Sequence, residues 1–175
     1  MKNDSMESYR STDPEFMERF EHFAFDEAVN EPDARLDERT RYMDVLAALM
    51  GCQGKEAFAL MLPKALDGGL TPVEVKEIVY QAADYIGFGR MLPFLNIVNN
   101  ELTRTGIALP LEGQSTTGMD DRLEKGAEAQ AEIFGEHIKE AWKAGHINRW
   151  LAANCFGDYY TRKGLGLKDR EIITF

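Results

Sequence analysis

The stretch GGLTPVEVKEIVYQAADYIGFGRMLPFLNIVNNEL, Gly68 to Leu102, decides the fold, because it holds a helix start, a helix stop and a second start in one passage. Thr71 reads as an N-cap with Pro72 at the first helical position. Glu74, three residues after the cap, completes a capping box in which hydroxyl and carboxylate satisfy exposed N–H groups reciprocally. Leu70 and Val75 are placed to close over the cap as a hydrophobic staple. Val75, Ile78, Val79, Ala82 and Ile86 recur at helical spacing, with Glu74, Lys76, Glu77, Gln81 and Asp84 mostly off that stripe. Gly87 and Gly89 then release the chain, and Pro93 predicts the first turn of the next helix through Leu95, Val98 and Leu102. The expected unit is a helix hairpin.

Outward from the hairpin, Asp13-Pro14 predicts a helix start followed by an aromatic stripe of Phe16, Phe20 and Phe23, after an aperiodic segment over residues 1–12 expected to be a disordered tail. Helices are expected over Leu36–Met50, with Met43, Leu46 and Met50 on one face, and from about Lys55 to Leu66, kinked at Pro63. Residues 104–121 are rich in Gly, Pro, Ser and Thr and read as a linker. Beyond it, Asp120 to Gly145 predicts one long amphipathic helix, and Ile147 to Tyr160 a shorter one. No stretch alternates as a strand would, so the fold class is all-α.

Composition excludes several functions. With 44% hydrophobic and 29% charged residues the chain is of globular type, and no apolar run reaches membrane-spanning length, so no membrane partner is expected. A net charge of −10 without a basic stripe argues against nucleic acid. Without an evident signal peptide the expected address is the cytoplasm. The two cysteines, Cys52 and Cys155, fit a reducing compartment, both buried as small apolar residues.

Ala65-Leu66-Asp67-Gly68-Gly69-Leu70-Thr71-Pro72-Val73-Glu74, then Glu77-Ile78 and the Tyr85-Ile86-Gly87 corner, resembles the central pattern of the carboxymuconolactone decarboxylase family, which includes decarboxylases and alkylhydroperoxidase D-like peroxidases. The resemblance implies a helical bundle with possible decarboxylase or peroxiredoxin-type activity, a small-molecule substrate and assembly as a homo-oligomer. It covers roughly residues 36 to 102 and implies a first repeat over 13–103. Leu165 to Ile172 can be laid over Leu36 to Met43, matching a Leu, a basic fourth residue and an Arg at the sixth place, so residues 122–175 are expected to be the entry helices of an incomplete second repeat. The sequence stops at Phe175 on an apolar residue with neither cap nor breaker, and reads as truncated, with activity expected mainly in the part of the second repeat beyond it.

In the peroxidase branch a Glu, a Cys pair and a His cooperate to form a reactive thiolate. The corresponding positions here are Tyr42, Gly54, Ala57 and Met61, none of which can do that chemistry, so the first repeat is expected to be catalytically empty. Glu171 matches the family's acid in the second repeat and is the one candidate catalytic residue. A solvated helix position is the competing reading. His22, His137 and His146 are expected to be structural, with no metal site and no cofactor. Tyr80, Tyr85 and Arg90 flank the Gly87 corner, where packing is the simpler role than substrate contact. A non-catalytic helical oligomer or small-molecule binding module is the alternative function.

Overall fold

The computed structural model describes residues 6–33 and 36–175, and among them every regular element is helical. Helix α1 is Glu7–Thr12 and α2 is Pro14–His22, which runs on into a π-helical turn, Phe23–Glu27. Then come α3 (Glu38–Gly51), α4 (Lys55–Asp67), α5 (Pro72–Ile86) and α6 (Phe88–Arg104). The last part holds α7 (Arg122–Phe134), α8 (His146–Trp150) continuing as a π-helical segment Leu151–Tyr160, and α9 (Leu167–Thr174).

The capping box forms as its sequence predicts: Thr71 Oγ1 accepts from Glu74 N at 3.2 Å, and the Glu74 carboxylate accepts from Thr71 N at 2.7 Å. Leu70 and Val75 lie in one apolar core with Met43, Leu46, Phe58 and Phe94. Phe58 meets Phe94 edge-on at 5.0 Å. That core is closed by α3, α4, α5 and α6, and Leu165 from the last part of the chain enters it too.

Four expectations are corrected. Glu7–Thr12 is helical rather than irregular, held by an Arg10 side chain that bonds both Glu7 and Glu21; residues 1–5 lie outside the described residues. Helix α6 starts at Phe88, not at Pro93, because Gly87 at φ +81 makes the corner by itself and Pro93 sits inside the helix. The long helix predicted to Gly145 stops at Phe134, where Gly135 at φ +99 turns the chain into short 3-10 turns. Cys52 is exposed, its thiol donating to the Leu49 carbonyl, while Cys155 is buried.

The linker is fixed to the last part of the chain by three bonds. Thr116 Oγ1 donates to Thr161 O, Thr117 Oγ1 to Gly157 O, and Lys163 N to Gln114 O. Helix α7 meets the π-helical segment backbone to backbone. A Cβ on Gly126 would fall 1.8 Å from the Ala152 carbonyl oxygen, and one on Gly157 2.0 Å from that of Arg122.

Two carboxylates on the first turns of α5 tie these parts together. Glu74 Oε1 also accepts from Arg39 Nε at 2.8 Å, and Arg39 reaches Asp169 on α9 at 2.8 Å. Glu77, 1% exposed, accepts from Arg162 and from Arg170, and Arg170 is itself fully buried. Arg170 also donates to Gln81 Oε1 and to the Arg162 carbonyl. Removing one member of such a buried set leaves an uncompensated charge, which costs about 3–5 kcal/mol, whereas losing an N-cap costs about 1 kcal/mol. In urea unfolding, Glu77→Gln is therefore expected to be clearly more destabilising than Thr71→Ala. Equal effects would show that the buried pair is not what joins α9 to α5.

Candidate ligand-binding and acid–base site

The end of α5 separates two cavities. The first, about 550 Å³, lies between α3, α5 and α9, with apolar walls from Ala47, Met50, Ala82 and Ile86 and from Ile172 and Ile173. The second, about 390 Å³, lies between α5 and the α8 region, with Phe134, Ile147, Trp150 and Leu151 around Asp84 and Cys155. Tyr85 lines both.

The position of Tyr85 follows from helix geometry. It falls one turn after Gln81 on the same side of α5, so that Gln81 meets α9 and Tyr85 meets the π-helical segment. The Tyr85 and Tyr160 hydroxyls are 2.9 Å apart, Tyr160 reaches Thr174 Oγ1 at 3.0 Å, and Gln81 Nε2 donates to Thr174 Oγ1 at 2.8 Å. The Cys155 sulfur lies 3.7 Å from the Tyr85 oxygen. Burial pushes the Cys155 thiol up to about 12, with the charges of Asp84 and Glu171 acting in the same direction. Cys155 is therefore a neutral thiol at ordinary pH.

Asp84 is raised to about 6, first because the protein on its inner side removes water and then through the charge of Asp158, with the Cys155 thiol opposing. Its outer edge is exposed, and solvent screening there keeps the energetic consequence small. An acid in that range beside an open cavity can exchange protons near neutral pH. Asp44, on the wall of the first cavity, is also raised, by desolvation, and its Oδ1 is buried without a hydrogen-bond partner.

Glu171, the acid expected from the sequence, is half-buried on α9, where its hydrogen bonding and charge raise the Tyr160 hydroxyl after the larger effect of burial. The structure thus brings Glu171, Cys155 and Tyr85 into one neighbourhood and adds Asp84, Tyr160 and Thr174. Cys52 and the histidines stay apart from it. His22 has an acid at i+4, Asp26, with Nδ1 at 3.2 Å from the carboxylate, as a pair exposed on both sides. Tyr80 packs between Lys76 and Arg162, and Arg90 is exposed. Asp84 was legible only as a polar residue beside the apolar stripe. What marks it is the fold of residues far along the chain.

The positions matching the peroxidase chemistry are taken up by packing and capping. The Tyr42 ring fills the space over Gly68, where a Cβ would lie 2.3 Å from it; Met61 is in the core; Gly54 caps α4. This arrangement of α2 to α6 coincides with a family match: residues 14–100 fit the model of the carboxymuconolactone decarboxylase family. No curated protein matches the chain. Among the described residues no helix is long and apolar enough to cross a membrane.

The two thiols should differ sharply. With an aromatic disulfide reagent at pH 8, Cys52 is expected to react promptly in the native protein and Cys155 only on unfolding. Prompt reaction of both would mean that the π-helical segment does not shield Cys155.

Proposed function

We propose that this carboxymuconolactone decarboxylase family protein binds a small molecule in the cavity between α3, α5 and α9, and works as a homo-oligomer. The observation that carries this reading is the make-up of the cavity: apolar walls from three helices around a few polar groups, at a volume of about 550 Å³. Binding is favoured over turnover for residues 14–100, because Tyr42, Gly54, Ala57 and Met61 supply neither the carboxylate, nor the thiol pair, nor the imidazole of the peroxidase pattern. Peroxiredoxin-type activity gains no support from Cys155, whose surroundings hold it as a thiol.

Decarboxylase-type acid–base chemistry is the second reading, and Asp84, near 6 beside the second cavity, favours it, with Glu171 acting on the nearby Tyr160 hydroxyl. Residues 122–175 are read as the start of a second repeat. In support, α2 and α8 both run into π-helical segments, and each is followed by a loop and a helix carrying Arg41 or Arg170 at the matching place. Free cysteines suit the cytoplasm.

Ligand-observed NMR with neutral aromatic probes such as indole and phenol tests the binding reading. Saturable binding that disappears in the cavity-filling variant Ala82→Phe is expected, and its absence in the folded wild type would sink the proposal. The acid–base reading expects turnover of a carboxylated lactone to rise with pH through about 6 and to be lost in Asp84→Asn. Turnover indifferent to that substitution would exclude Asp84.

The oligomer rests on exposed apolar surface: Phe16 is 66% exposed, Phe88 64%, Ile147 76% and Trp150 60%. Patches of that kind larger than a few hundred Å² usually mark an interface. Light scattering at low micromolar concentration is expected to give a multiple of the chain mass. A monodisperse single-chain mass would refute the assembly.

A further inference from the structure

The cavity between α3, α5 and α9 carries one charged side chain among those that line it, Asp44. Its other polar lining side chains already have partners within the protein. Gln81 Nε2 donates to the Arg170 carbonyl and to Thr174 Oγ1, and Gln81 Oε1 accepts from Arg170. Tyr85 is bonded to Tyr160, and Thr174 Oγ1 donates to the Arg170 carbonyl. Asp44 differs from all of these. Its Oδ1 is buried against the protein without a hydrogen-bond partner, the residue as a whole is only partly enclosed, and no cationic side chain lines the cavity. An unpaired carboxylate at the wall of an apolar cavity offers its more open oxygen as an acceptor to a donor inside.

The walls set what that donor can be attached to. Ala47, Ala82, Ile86, Ile172 and Ile173 present hydrocarbon and offer a polar ligand nothing further to bond. A carboxylate or phosphate ligand would be repelled by Asp44. A neutral hydroxyl would satisfy the geometry without the charge, and charge-assisted hydrogen bonds are roughly twice as strong as neutral ones. The overall charge of −10 also draws cations and repels anions at long range.

We propose that this cavity is the site of a small apolar amine, whose ammonium group donates to Asp44 while its alkyl or aryl body lies against the alanine and isoleucine walls. The proposal rests on the binding reading given above and specifies the class of ligand.

The test compares shape-matched probes on the full chain by calorimetric titration at pH 7.5: 2-phenylethylamine and hexylamine, neutral 2-phenylethanol, and anionic phenylacetate. The amines are expected to bind at least ten-fold more tightly than the alcohol, and phenylacetate most weakly. Asp44→Asn is nearly isosteric and should remove the preference for amines while leaving 2-phenylethanol binding unchanged. Ala82→Phe should abolish binding of every probe, with circular dichroism confirming that both variants are folded. If the alcohol binds as well as the amines, or Asp44→Asn leaves amine affinity within two-fold, the amine assignment is overturned while the cavity remains a binding site. If no probe binds the folded wild-type chain, both this proposal and the binding reading fall.

Discussion

The carboxylate of Glu77 is the constraint on which the rest of the structure depends. It sits on the second turn of α5, almost without solvent, and is shared by Arg162 at the end of the π-helical segment and Arg170 on α9. Burial dominates for Arg170 and lowers its pKa, whereas hydrogen bonding to Glu77 dominates for the less enclosed Arg162 and raises it. The terminal nitrogens of Arg170 find acceptors in Glu77, Gln81 and the Arg162 and Lys163 carbonyls, while its Nε is buried without one. The geometric effect of the set is to hold α9 against α3 and α5. Without that placement Ile172, Ile173 and Thr174 would not wall the first cavity, and Thr174 would not reach Tyr160.

The capping box adds a second tie at the same end of α5. One oxygen of Glu74 serves the helix start and the other serves Arg39, which continues to Asp169. Local helix initiation and the docking of α3 and α9 are thus carried by one side chain, and the site at the far end of α5 inherits its alignment from this one.

The fold was largely readable before the structure, and the reasons are local. Thr71, Pro72 and Glu74 determine a helix start within four residues, and the Val75, Ile78, Val79 stripe determines which side is core. Both signals act over distances that sequence displays directly. The failures have equally physical causes. Gly87 with a positive φ makes a corner sharp enough that the next helix begins immediately, so Pro93 had no start to mark. Gly135 lies inside an unbroken apolar period, which hides the break that its positive φ makes. The candidate neighbourhood was legible only in part: Glu171 was the one acid singled out and Cys155 was expected only as a buried apolar residue, whereas Asp84 is set apart by burial that arises when α5 meets segments 70 or more residues away, and Asp44 on α3 by an oxygen left without a partner.

Where α7 crosses the π-helical segment, Gly126 and Gly157 bring two main chains together with no side chain between them. Main-chain atoms cannot change rotamer, so the seam has no means of absorbing added volume, and even a methyl group would have to move a whole helix. Tolerance to substitution is therefore distributed unevenly along this chain. The exposed phenylalanines of α2 can be exchanged for many residues at little cost to folding, while two glycines with no chemistry of their own fix how closely the Cys155 segment can be carried against its neighbour.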